Sequence, residues 1–130
     1  MVKRVLVDTH VAIWAAFDPD WLSKDVLDLL NNANEVFIST LSLAEIEMKK
    51  ARGKIKIKKI SVSDLDQIGF KILPFEIDAV KSISRFIQLA NHDPFDWLLL
   101  AHAASLDAKF ITVDRKLLSL GLDWVIDAEA

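Results

Sequence analysis

The sequence holds no cysteine in 130 residues, which excludes disulfides, thiolate metal sites and a cysteine nucleophile and is compatible with a reducing compartment. Glycine is almost as scarce, with three residues and none clustered, so a phosphate-cradling loop for nucleoside triphosphates is not expected. No apolar run approaches the ~18 residues needed to span a bilayer, and "MVKRVLVDTH" reaches Asp8 before a signal-peptide core can form. These absences predict a soluble, cytoplasmic protein with no membrane partner. Internal repeats and low-complexity linkers are also missing. At 52% hydrophobic content the chain is long enough for one core and too short for two comfortable ones, so residues 1–130 are read as a single domain.

Acids are missing from one stretch. Between Lys49 and Lys59, "KKARGKIKIKK" carries seven Lys or Arg and no Asp or Glu. Because the whole chain has a net charge of −3, the remainder carries −10, and a basic strip stands against an acidic body. Such a strip is either a solvated face or a surface for phosphates.

The β-branched runs at 2–7, 35–39, 70–75 and 109–113, with a shorter one at 124–126, predict strands. Helical spacing appears over 22–32, with Ser23 as cap, and over 40–52, 77–91 and 96–107, with a short helix at 62–68. The stretch 51–64 is read as a loop at the sheet rim. Alternating strands and helices, without strict two-residue alternation, predict an α/β fold: a three-layer α/β/α sandwich with a central parallel sheet.

Two predicted strands end in aspartate, "RVLVD" at Asp8 and "FITVD" at Asp114. In a parallel sheet the C-terminal ends emerge on one edge, where ligands of open α/β sheets bind. On the helix after the second strand, Leu41, Ala44, Met48 and Ala51 form an apolar stripe that Glu45 borders. Glu45 also has structural readings, as a capping box with Ser42 and an i,i+4 pair with Lys49. In "HDPFDW" (92–97), Asp93 suits an N-cap and Pro94 the first helical position. Asp96 then opens an apolar helix whose start lies near the same sheet edge.

Four carboxylates in one cleft repel, and each is expensive to ionise unless a cation shares the site. Oxygen ligands without cysteine or a spaced histidine pair favour Mg2+ or Mn2+ over zinc. Such ions polarise phosphorus and acidify a bound water, the chemistry of phosphodiester hydrolysis. His10, His92 and His102 have no ligand spacing among themselves and are read as core or loop histidines.

At this point "VLVDTHVAIW", "STLSLAEIEMKKARGK", "NHDPFDWLLLAHA" and "FITVDRKL" together resemble a PIN-domain ribonuclease, in particular the toxins of VapBC toxin–antitoxin pairs. The resemblance runs over nearly the whole chain. It implies a Mg2+- or Mn2+-dependent endoribonuclease with metal and catalytic residues at Asp8, Glu45, Asp96 and Asp114, and Thr9 as a water-orienting or supporting hydroxyl. It implies an RNA substrate, a small antitoxin partner and a homodimer, with Trp14 and Trp21 as interface material. RNA contacts are expected from Lys49, Lys50, Arg52, Lys54, Lys56, Lys58, Lys59, Arg115 and Lys116. One departure stands out: relatives with "DPFD" commonly continue with Arg, where this chain has Trp97. That Arg's role is then vacant or falls to Arg115 or Lys116, which keeps open a catalytically weak PIN-fold module that binds RNA or protein.

Other readings fit less well. A haloacid-dehalogenase-type phosphotransferase needs a second Asp two residues after Asp8, where His10 stands, and a receiver-like domain needs an aspartate after "KILPF".

Overall fold

The structure, a computed structural model, describes residues 4–54 and 62–129. Lys56, Lys58 and Lys59, and most of the expected rim loop, lie outside the described residues. Strands β1 (Arg4–Val7), β2 (Glu35–Ser39), β3 (Lys71–Leu73), β4 (Lys109–Thr112) and β5 (Val125–Asp127) form one sheet in the order β3-β2-β1-β4-β5, every pair parallel. Around it lie helices α1 (Thr9–Phe17), α2 (Lys24–Asn32), α3 (Thr40–Ala51), α4 (Val62–Gln67), α5 (Ile77–Ser82), α6 (Pro94–Ser105) and α7 (Arg115–Leu118), with short 3-10 turns at Pro19–Trp21 and Ile83–Leu89. The three-layer sandwich expected from the sequence is the fold observed. Among the described residues no helix is long and apolar enough to cross a membrane.

Both sheet faces are covered, which is why the strands read as continuous apolar runs. Val5, Val7, Val36, Ile38 and Ile111 point to one core with Val11, Val26, Ile46 and Leu65 of α1 to α4. Leu6, Phe37 and Phe110 point to the other, with Phe86, Leu89, Leu99 and Leu100. Sheet order reverses direction about β1, so its neighbours β2 and β4 continue to opposite sides and leave a crevice at their C-terminal ends. Val7 is in register with Ile38 and Ile111, which brings the residues following β1, β2 and β4 to the same level.

The segment read as one helix over 77–91 divides into α5 and the 3-10 turns, with a break at Phe86 (φ −124°, ψ 44°). The three-residue pitch lines up Ile83, Phe86 and Leu89, of which Phe86 and Leu89 are buried, and this burial outweighs the better hydrogen bonding of a continuous α-helix. Trp97 secures the arrangement: its indole Nε1 donates to the Ile83 carbonyl at 3.0 Å, and its ring packs on the same core. Replacing Trp97 with Phe should therefore cost about 1 kcal/mol through the lost hydrogen bond. Urea unfolding checks this, and an unchanged midpoint would remove the anchoring role.

Candidate metal centre

Asp8 leaves β1 with extended backbone and caps α1, accepting from the Val11 N–H at 3.0 Å. Its Oδ2 accepts from the Thr112 hydroxyl and, at 3.4 Å, from the Val113 N–H. It is 4% exposed, and that burial raises its pKa above the ordinary carboxylate value although the hydrogen bonds and His10 pull the other way. Asp114 follows β4 and caps α7, with Oδ1 accepting from the Leu117 N–H at 2.9 Å. Its own N–H donates to Thr112 Oγ1 at 3.0 Å. The buried Thr112 thus joins the two strand-end aspartates, donating to one and accepting from the backbone of the other.

Asp93 takes the cap of α6, accepting from the Phe95 N–H at 2.8 Å, with Pro94 at the first helical position. Asp96 is consequently not needed as punctuation. Burial, a hydrogen bond with Asp114, and the negative charges of Asp114, Asp93 and Asp8 push its pKa up to about 8. Burial also acts to raise Asp114, but the Leu117 N–H, the Asp96 carboxyl and His92 outweigh it and hold Asp114 below its ordinary value. Like charges forced together favour the protonated form of one of them, and the shifts make that one Asp96.

His92 completes this group. Its Nε2 lies 3.1 Å from Asp114 Oδ2 and 3.3 Å from Asp96 Oδ2. One donor atom from each of His92, Asp96 and Asp114 falls within 4.8 Å of the others, and their side chains are 26, 24 and 22% exposed. His92, expected to be a core or loop histidine, instead lies against two of the predicted site acids. Its spacing of four from Asp96 was the available signal, obscured because the two residues straddle a helix start.

Glu45 stands apart from that trio. It is 7% exposed; Oε1 is 2.5 Å from Thr9 Oγ1, and Oε2 is 3.1 Å from Lys49 Nζ. Thr9 is also 2.9 Å from Ser42 Oγ. A hydroxyl has one proton, so Thr9 donates it to the carboxylate and accepts from Ser42. The expected stripe on α3 is corrected: Ala44, Met48 and Ala51 are exposed, while Ser42, Glu45 and Ile46 are buried. A polar network, and not the row of apolar residues, decides which face of α3 turns inward. The Ser42–Glu45 capping box is also not formed, because Ser39 caps α3 by accepting from the Leu41 N–H at 3.0 Å. Ser39 Oγ is hydrogen-bonded to His102 Nδ1 at 2.9 Å, and burial lowers the pKa of His102. His102 is the core histidine anticipated.

Of the expected RNA contacts, Lys49 is paired with Glu45, and Lys50 with Glu47 at 3.2 Å. Arg52, Lys54 and Lys116 are exposed. Arg115 grips Asp127 in two hydrogen bonds of 2.9 and 3.0 Å, with Glu129 at 3.7 Å. These contacts raise its pKa and lower that of Asp127.

The trio fits a divalent cation. Donors around an ion with bonds of about 2.0–2.6 Å lie no more than roughly 4–5 Å apart, and the oxygen and imidazole set suits such an ion. A cation would also replace the proton that Asp96 otherwise retains. The folded protein holds that proton up to about pH 8, whereas the unfolded chain releases it near 3.8. In chelator, this contribution is full below the unfolded value and lost as pH rises toward 8. Asp96→Asn should flatten that decline and be more stable than the unsubstituted chain at pH 8, whereas Asp93→Asn should retain it. Urea titrations between pH 5 and 8 check the sign; a slope unchanged in Asp96→Asn would refute a proton held by Asp96.

The chain is 26% identical over 120 residues to a ribonuclease, VapC22, of Mycobacterium tuberculosis, covering 91% of this chain and 92% of that protein. Among solved structures it is similar to DNA-bound VapBC from Salmonella typhimurium (TM-score 0.68, 17% identity, 98% of each chain). It is also similar to VapBC2 from Rickettsia felis bound to a promoter DNA fragment (TM-score 0.67, 21% identity, 96% of this chain and 97% of that one). These structural likenesses concern the fold. The PIN domain family model matches residues 5–121, from the first strand through the last helix and across all four acids, and the chain belongs to the PIN domain family.

Proposed function

We propose that the chain is a Mg2+- or Mn2+-dependent endoribonuclease of one PIN domain, acting in the cytoplasm as the toxin of a toxin–antitoxin pair. The observation that carries this reading is the gathering of donor atoms from His92, Asp96 and Asp114 within 4.8 Å of one another at the partly exposed end of the sheet. Family membership supports a nuclease, and the similarity to a ribonuclease and to VapBC proteins supports RNA and an antitoxin.

Asp96 and Asp114 would hold the cation, with Asp8 completing the negative site. When bound, a cation supplies charge stabilisation at phosphorus and a more acidic attacking water. Thr112 orients Asp8, and Thr9 orients Glu45. Glu45 and its paired Lys49 face the same edge from α3, where the carboxylate can take a proton and the ammonium can meet a phosphate oxygen. Attack by water, without use of the ribose 2′-hydroxyl, leaves 5′-phosphate and 3′-hydroxyl ends. Arg52 and Lys54, together with Lys56, Lys58, Lys59 and Lys116, would follow the RNA backbone.

Partners are supported by exposed apolar surface. Trp21 is 61% exposed and stacks on Trp14 at 5.8 Å, a surface for the antitoxin. Ile77 and Ile87 are about two-thirds exposed, a surface for a second copy of the chain. The commitment of Trp97 to Ile83 and of Arg115 to Asp127 favours a second reading, an RNA-binding module without cleavage.

Purified protein incubated with structured RNA should generate 5′-phosphate ends with Mn2+ or Mg2+ and none with chelator, and Asp96→Asn and Asp114→Asn should abolish them. Thr112→Val should lower cleavage ~10–100-fold by freeing Asp8. RNA bound by the intact chain but uncut at any tested cation concentration would select the second reading. Lys54, Lys56, Lys58 and Lys59 changed together to Glu should weaken RNA binding and reduce its log–log salt slope by roughly 0.7 for each lost single-strand phosphate contact. An unchanged slope would return the strip to a solvated face.

A further inference from the structure

We propose that His92 is itself a protein ligand of the cation, through Nε2, and that it biases the site toward Mn2+ over Mg2+. This rests on the cation-dependent reading above and adds to it a donor and a selectivity. The ring is placed by a pinned backbone, since the His92 N–H donates to the Leu89 carbonyl at 2.9 Å just before Asp93 caps α6. Its Nε2 stands 3.1 Å and 3.3 Å from one oxygen each of Asp114 and Asp96. Adjacent donors around an octahedral ion with bonds near 2.1 Å are separated by about 3.0 Å. The two Nε2 separations therefore already approximate edges of one coordination sphere.

Without a cation the Nε2–Asp114 contact is a hydrogen bond, and with one the same nitrogen is placed to become a ligand. His92 reaches both, from between the last 3-10 turn and α6, and presents the same nitrogen to each. The other two histidines are differently employed: His102 is buried against Ser39, and His10 is exposed on α1.

Imidazole at this corner changes what the site prefers. Mg2+ favours oxygen ligands and retains its waters, so it gains little from nitrogen. Mn2+ stands at the start of the divalent transition series, whose members bind nitrogen progressively better, and gains more. Two carboxylates alone discriminate weakly between these ions; the addition of a nitrogen is where discrimination arises.

The test uses the full chain loaded with Mn2+. Pulsed electron paramagnetic resonance should show a directly bonded 14N coupling that disappears in His92→Ala and His92→Gln and persists in His10→Ala. Calorimetric titrations of the same proteins should show Mn2+ affinity falling about tenfold or more in the His92 variants, with Mg2+ affinity changed much less. Mn2+ bound by the unsubstituted protein without nitrogen coupling would overturn the proposal, and that measurement does not depend on any variant folding. Equal loss of affinity for both ions would also overturn it, leaving His92 as support for the carboxylates. RNA cleavage that still required Mn2+ in either case would leave the nuclease reading standing, whereas failure of the unsubstituted chain to bind either ion would remove both.

Discussion

Crowding of carboxylates at one edge of a parallel sheet is the constraint from which the local structure follows. With every strand running the same way, the residues after β1 and β4 emerge together, and both places hold an acid. Most of that charge is met by fixed partners: Asp8 takes the first N–H groups of α1 and the hydroxyl of Thr112, and Asp114 takes the start of α7. Helix N-termini favour anions, so the same short turns that end the strands also make their acids tolerable. Asp96 lacks such a partner because Asp93 occupies the cap of α6. Its surplus charge is resolved by a proton, which is what a cation would displace.

The acids therefore fall into two unlike halves. Glu45 has a hydroxyl on one oxygen and an ammonium on the other, so its charge is locally compensated. Asp8, Asp96 and Asp114 have N–H and hydroxyl donors and one imidazole, but among the described residues no Lys or Arg is paired with any of the three. A divalent ion gains more attraction from the second half, and a phosphate meets less repulsion at the first. Thr9 lies between them in sequence, one residue from Asp8 and bonded to Glu45, so α1 ties the halves together.

Much of this was legible in the sequence because it rests on nearest-neighbour rules. Strand-terminal Asp8 and Asp114, the cap at Asp93 and the buried helix after it follow from run length and turn chemistry, and the parallel topology does the rest. What was hidden depends on contacts between distant segments. Thr112 meets Asp8 across 104 positions, and Thr9 meets Glu45 across 36; neither pairing has a periodicity to betray it. The inward face of α3 was misread for the same reason, since Ser42 and Glu45 are buried by Thr9 and not by their own hydrophobicity. The 3-10 turns escaped because Ile83, Phe86 and Leu89 are compatible with either helical pitch until the core selects one.

Trp97 shows how one residue beside the cleft bears on its charge. An arginine at the second residue of "DW" would sit one position from Asp96 and carry a permanent positive charge, with five donors for acid or phosphate. Trp97 has one donor, directed to Ile83, and its ring joins the core; stability of the 3-10 segment is gained where a cleft charge is given up. Arg115 forms no salt bridge with these acids, since its planar fork is matched to Asp127 at the end of β5. Among the described residues, the salt bridge from a lysine or arginine to the four acids is that of Lys49 with Glu45, while the His92 ring lies against Asp96 and Asp114. A chain with the arginine could neutralise part of its cleft by itself, whereas this one leaves that neutralisation to a proton or a bound cation. An uncharged residue at position 97 and an imidazole at position 92 therefore act in the same direction, toward a site whose electrostatics are completed from outside.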